Sequence, residues 1–309
     1  MLESFFNSNV ACTVNGTAAL HLALQAAGIK RNDEVLVPSI TYVASLQAIT
    51  ATGAKPVICD VNDYDGLLSI EDAEKKISKK TKGIMPVYFA GYSGDLNKIY
   101  KFAKKHKIKV IEDAAHAFGS NYNSKKIGSK GDFVCFSFDG IKNITSGEGG
   151  CVVSKKKKVI NKIKDLRLLG VIKDSVKRYK GSRSWVYDVK EQGWRYHMSD
   201  IMAAIGIVQL ERFDELSSKR MKLAKYYDQL LKKFKWIEPL RFNIEEVVPH
   251  IYVIKINKKY NKTKLIKYFK KSNIEIGLHY YPTHKIEFFN KKKNKKYVNS
   301  EKFYKNAIT

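Results

Sequence analysis

The sequence predicts an α/β fold: a mainly parallel central sheet flanked by helices in a large unit, followed by a smaller α+β unit. Three observations carry this reading. Through the first half, apolar runs of strand length alternate with helix-length runs rich in Ala and Leu. Capping and turn residues fall between them where elements should start and stop. With 309 residues and 44% apolar side chains, the chain can bury a sizeable core.

In order, residues 17–27 read as a helix closed by Gly28, and 34–37 as a strand stopped by Pro38. A helix over 41–52 ends at Gly53, and a strand covers 55–61. Ser69-Ile70-Glu71-Asp72 resembles a capping box opening a helix to about 78. Strands at 83–89 and 109–113 bracket a helix over 95–106, and strands at 132–138 and 150–154 flank a loop. A basic helix runs over 156–169. The stretch 170–192, rich in Ser, Arg, Tyr and Trp, is irregular; a connection of that length usually serves function or an interface. Ser199-Asp200 caps a long helix to about 234, followed by strands near 251–256 and 275–280 and a helix over 263–272. The run 291–296 is a charged loop. The expected division is 1–215 for the large unit and 216–309 for the small one.

No stretch approaches the roughly 20 apolar residues of a membrane span, and the first residues lack the pattern of a signal peptide. Cys12, Cys59, Cys135 and Cys151 show no CxxC spacing and sit in or beside apolar runs. They read as small buried residues in a reducing cytoplasm rather than as a metal site or disulfide frame. The 57 basic and 30 acidic residues give a net charge of +27. That excess is almost all lysine, spread over helices and loops, without an Arg-rich arm, zinc finger or aromatic RNA-binding signature. Only weak, sequence-blind binding to nucleic acid at low salt is expected from it.

Lys142 lies in Phe136-Ser137-Phe138-Asp139-Gly140-Ile141-Lys142-Asn143-Ile144-Thr145-Ser146-Gly147-Glu148-Gly149-Gly150. A lysine partly desolvated after a strand can lose its proton and attack a carbonyl. A surface lysine on a loop is the alternative. Asp113 closes the apolar strand before Ala114-Ala115-His116, where parallel sheets bind ligands; a helix N-cap would look the same. Asn15-Gly16-Thr17-Ala18 precedes a helix, so its free N–H groups could hold a phosphate. Tyr42 could be a core aromatic or a flat ring for stacking. Taken in order, the anion nest, aromatic, Asp, Ser and Lys fit pyridoxal 5′-phosphate, which needs a Schiff-base lysine, an acid for its ring nitrogen, a phosphate cradle and a stacking group.

At this point the chain resembles the DegT/DnrJ/EryC1/StrS sugar-nucleotide aminotransferases of the fold-type I pyridoxal phosphate enzymes. The resemblance rests on NGTAALHLAL (15–24), VPSITYVAS (37–45), IEDAAHAFGS (111–120), FSFDGIKNITSGEGG (136–150), GWRYHMSDIMAAIG (193–206) and HYYPTH (279–284). It implies that Lys142 carries the cofactor, that Asp113 pairs with the ring nitrogen and that His116 lies near the ring oxygen. Gly16, Thr17 and Ala18, with Ser137, would bind the phosphate, and Tyr42 would stack on the ring. Arg195 stands where relatives often have Asn, and His197 where they often have Arg; in the family this block reaches a neighbouring subunit's phosphate. His279 and His284 are candidates for the substrate side, or ordinary polar residues at a strand end.

The resemblance further implies a cytoplasmic homodimer with shared active sites, glutamate as amino donor and a nucleotide-linked keto-sugar as acceptor. Residues 144–150 resemble relatives that aminate C4 of 4-keto-6-deoxy sugars, although cyclitol-forming relatives share the same form. Such amino sugars serve cell-surface polysaccharides, including lipopolysaccharide and O-antigen. Family members carry further residues before 2–6 and after 309, so the chain reads as trimmed at both ends and its small unit as incomplete.

Overall fold

Local chemistry sets where the helices begin. Asn15, Ser69, Asp95, Ser199 and Asn261 each turn a side-chain oxygen onto a backbone N–H of the first turn that follows. The computed structural model describes residues 1–171, 187–240, 243–289 and 296–309. The expected loop over 170–192 lies mostly outside the described residues, as does the lysine run at 291–296 apart from Lys296.

The first part of the chain forms α1 (Leu2–Phe6), β1 (Asn9–Thr13), α2 (Gly16–Ala26), β2 (Glu34–Pro38), α3 (Val43–Ala51) and β3 (Lys55–Cys59). It continues through α4 (Ile70–Lys76), β4 (Thr81–Ile84), α5 (Leu96–His106), β5 (Lys109–Val110) and β6 (Glu112–Asp113). A small hairpin, β7 (Asn121–Tyr122) and β8 (Lys125–Lys126), precedes β9 (Val134–Ser137), β10 (Gly150–Ser154) and α6 (Lys157–Leu166). The remainder comprises α7 (Asp200–Glu211), α8 (Phe213–Leu231), β11 (Ile237–Pro239), β12 (Ile254–Ile256), α9 (Lys262–Lys271), α10 (Val298–Asn306) and β13 (Ala307–Ile308).

Strands β3, β2, β4 and β5 pair in that order, all parallel. Strands β6, β9, β10 and β1 pair beside them, with β10 antiparallel to both neighbours. Residues 109–113 join the two sets. Ile111 and Asp113 donate backbone bonds to Ile84 and Pro86 on one side, while Glu112 and Ala114 donate to Phe133 and Cys135 on the other. The sheet is therefore continuous across the molecule's middle, and Asp113 stands at a strand end within it.

Alternation along the strands divides the core into two faces. Val35 and Val37 of β2 join the cluster with Leu22, Leu46 and Ile163, whereas Leu36 joins Ile99 and Phe102. In β9, Cys135 faces the first cluster, while Val134 and Phe136 face Phe6, Phe118 and Phe213. Each large side chain buried this way contributes about 1.5–3 kcal/mol.

Three expectations are corrected. The long helix after Ser199 is two helices, α7 and α8, meeting at Arg212. The strand near 275–280 is not regular; among the described residues only Gly277 exchanges backbone bonds, with Thr309. Strand β1 and helix α10, for which periodicity gave no signal, complete the sheet edge and the C-terminal packing. Helix α10 is anchored from far away: Asp60 accepts from the backbone of Asn299 and Ser300 at 3.1 and 2.7 Å. Its Phe303 packs with Phe89, Leu67 and Val253. The division expected at 215 falls within α8. Among the described residues no helix is long and apolar enough to cross a membrane.

Candidate active site

Lys142 sits on a tight loop between β9 and β10. Its N–H donates to Asp139 O at 3.0 Å, and Ser146 N–H closes the loop onto Phe138 O at 2.9 Å. Burial pushes the Lys142 amine below its ordinary value, while the carboxylates of Asp113 and Asp139 pull it back up. A larger share of free amine at neutral pH follows, which is what a nucleophile or base requires.

Asp113 is buried on the α3 side of the sheet. It accepts from Ser45 Oγ at 2.7 Å and from the Ala115 N–H at 3.2 Å. Ser45 Oγ in turn meets Thr41 Oγ1 at 2.7 Å. Burial raises the Asp113 carboxyl, opposed by Ser45, the Ala115 N–H and the positive charge of Lys142. A carboxylate so enclosed favours a cation beside it.

His116 is buried one turn further on, and burial, His250 and Lys142 push its ring well below the usual imidazole range. Such surroundings favour the neutral ring. Its Nε2 lies 2.9 Å from Tyr280 OH, its ring centroid lies 4.2 Å from that of His250, and its buried Nδ1 has no hydrogen-bond partner among the described residues.

The N-terminus of α2 faces Ser137. Asn15 takes up the N–H groups of Ala18 and Ala19, leaving those of Gly16 and Thr17 outside the helix ladder. A Cβ on Gly16 would lie 2.8 Å from Ser137 Cβ, so only glycine lets the two segments meet. Tyr42, at the N-cap of α3, is 60% exposed, with its ring 5.8 Å from that of Tyr280.

The fold thus brings Lys142, Asp113 and His116 into one electrostatic group and sets Ser137 against Gly16. The other named residues fall differently. Arg195 is exposed and pairs through its backbone with Leu168. His279 bonds Thr309 Oγ1 at 2.7 Å and feels the charge of Lys142. His284 is instead held by Ser39 at 2.7 Å and Glu301 at 3.3 Å, stacked 4.1 Å from Tyr297. The structure therefore joins His284 to α10, not to the Lys142 group. Reasoning from sequence missed Ser45, Tyr280 and His250. Ser45 had a signal, one helical turn after Thr41; His250 had none.

The residues present fit pyridoxal 5′-phosphate: a buried carboxyl seeking a cation, a lysine with lowered affinity for its proton, and a helix terminus closed against Ser137. The fold and this group define a fold-type I pyridoxal phosphate enzyme. The chain belongs to the DegT/DnrJ/EryC1/StrS aminotransferase family, which it matches over residues 2–309. It is 38% identical to the uncharacterized protein MJ1066 of Methanocaldococcus jannaschii, over all of this chain and 82% of that one. Among solved structures, it superposes with a TM-score of 0.91 on Spr1654 of Streptococcus pneumoniae, assigned as a sugar aminotransferase, in its PMP form. Identity there is 30%, over 99% of this chain and 84% of that one. PseC of Helicobacter pylori, an aminotransferase in pseudaminic acid biosynthesis, gives a TM-score of 0.90 at 28% identity, covering 99% and 82%. This protein is a pyridoxal phosphate-dependent aminotransferase of the sugar aminotransferase family.

Proposed function

We propose that this enzyme moves an amino group from glutamate to C4 of a nucleotide-linked 4-keto-6-deoxyhexose, supplying amino sugar for cell-surface polysaccharide such as lipopolysaccharide or O-antigen. The observation that carries the reading is Lys142 set against Asp113, followed directly by Ile144–Gly150, whose form resembles C4-acting relatives. The neighbouring Spr1654, assigned as a sugar aminotransferase, supports the acceptor class.

When bound, the cofactor supplies an electron sink that makes the hydrogen beside the amino nitrogen acidic. Lys142 would hold the cofactor, and its amine, when free, would take the proton from the donor α-carbon. Asp113 would hold the proton on the ring nitrogen, with Ser45 keeping that carboxylate oriented. His116, held by Tyr280, would lie beside the ring oxygen. Gly16, Thr17, Ala18 and Ser137 would bind the phosphate, and Tyr42 would cover the ring. His279 faces the acceptor.

A homodimer is part of the reading. Helix α7 has no buried residue, and Ile201, Ile205, Ile207 and Val208 are all exposed, Ile201 to 78%. Beside it lies a cavity of about 520 Å³ lined by Val10, Phe138, Met198, Gly206 and Leu210. Such a face calls for a cover, and a second copy would bring its own Arg195 to the shared border. Light scattering checks this: a monomer at micromolar concentration removes the dimer.

The deciding experiment is a glutamate-dependent assay over a panel of 4-keto-6-deoxy sugar nucleotides, with the amine located by NMR. Amination at C4 is expected. Transfer only to a C3 ketone or a cyclitol would replace the sugar reading, since residues 144–150 also match cyclitol-forming relatives. Lys142→Ala should abolish turnover; appreciable amination by that variant removes Lys142 from its role.

A further inference from the structure

The loop that carries Lys142 is open to solvent on one side, where Ile141 is 69% exposed and Gly147 and Glu148 are exposed as well. On the inner side the next residue, Asn143, is buried. Its Nδ2 donates twice, to Phe118 O at 3.2 Å and to Val248 O at 3.0 Å. These carbonyls belong to different parts of the chain. Phe118 closes the turn that carries His116, and Val248 lies in the segment 247–250 that carries His250.

That segment is itself firmly seated. Val248 N–H donates to Ser120 Oγ at 3.0 Å and His250 N–H to Ala90 O at 3.3 Å, while Arg220 donates to His250 O at 3.2 Å. Gly91 packs into the same corner: a Cβ there would lie 2.7 Å from Val248 O and 3.1 Å from His116 O. Both carbonyls that receive the Asn143 amide therefore lie on backbone with little freedom to move. A neutral amide nitrogen with two N–H groups can bridge two acceptors; a carboxylate cannot donate, and a hydroxyl donates once.

We infer that Asn143 is a positioning residue for Lys142, clamping the lysine loop to the His116 turn and to the 247–250 segment so that the amine keeps one place relative to Asp113 and His116. This rests on the aminotransferase reaction and not on which sugar is used. Displacing a reacting group by about 1 Å can cost on the order of 100-fold in rate. The charged and titratable groups facing the amine are Asp113, Asp139, His116, His250 and His279.

The test uses Asn143→Ala and, as the milder change, Asn143→Ser. In cofactor-free protein, Lys142 is titrated by acetic anhydride labelling across a pH series and read by mass spectrometry. In holoenzyme, kcat and KM are measured with the amino donor the wild type accepts. A loosened loop admits water, so the Lys142 midpoint should rise by about half a pH unit or more, with kcat down about tenfold and KM within about twofold. Asn143→Ser should fall between wild type and Asn143→Ala. A folded Asn143→Ala that titrates Lys142 as wild type does and keeps its kcat overturns the inference. Where Asn143→Ala does not fold, the same two readouts on Asn143→Ser decide it: a wild-type titration and kcat there overturn it equally.

Discussion

Glu112 and Asp113 are adjacent, both carboxylic acids and both buried, yet the strand turns them to opposite faces and they do different work. Glu112 points to the α5 side, where Tyr88 OH donates at 2.5 Å and Tyr100 OH also donates. A Cβ on Gly131 would lie 2.4 Å from Glu112 Oε1, so the space around the carboxyl is filled. Asp113 points to the α3 side, where it accepts from Ser45 and Ala115 and feels the charge of Lys142. Burial raises both carboxyls. A carboxyl enclosed by neutral donors fastens two elements together. One whose donors leave an edge facing a titratable amine can take part in chemistry.

The largest effect should come from Asp113→Asn, which keeps shape and removes charge. We expect kcat to fall about 100-fold or more with thermal stability retained, measured by turnover and a melting curve. Near-normal turnover would erase the distinction between the faces. Glu112→Gln should do the reverse: one tyrosine OH meets an NH₂ instead of an acceptor, at a cost of about 1–3 kcal/mol in urea unfolding, with kcat within about twofold. Ser45→Ala should lower kcat about tenfold, the worth of one hydrogen bond to a charged group, and sharpens the comparison because Ser45 touches only the Asp113 side.

The smallest effect concerns pH. Burial holds the Glu112 carboxyl above its ordinary 4.5, so the folded chain keeps that proton longer than the unfolded chain. Its contribution is complete below the unfolded value and is lost as pH rises through the folded one. The stability gap between wild type and Glu112→Gln should therefore narrow as pH rises above 4.5 in urea titrations. A gap that widens with pH would mean Glu112 is ionised in the fold.

The HYYPTH block shows where legibility ends. Its two histidines look alike in sequence, but Tyr280 contacts His116 while His284 turns to Ser39, Tyr297 and Glu301. His116, the partner of Tyr280, and Ser39, one partner of His284, lie 164 and 245 residues away, beyond the reach of any local pattern. The single long helix expected after Ser199 failed for a related reason: the apolar pattern continues across Arg212, and only packing of Phe213 against Phe118 and Phe5 marks the break.

The sequence by itself determined the α/β alternation and several helix starts, because caps and periodicity are local properties of the chain; it offered Lys142, Asp113 and Ser137 as candidates through their places at strand ends, and His116 through the family resemblance. Tertiary structure decided which strands are neighbours, and with them the Ser45–Asp113 and Tyr280–His116 bonds and the two carbonyls that hold Asn143. Those contacts depend on long-range pairing, where the balance of burial, hydrogen bonding and close approach is struck between segments that do not adjoin in sequence.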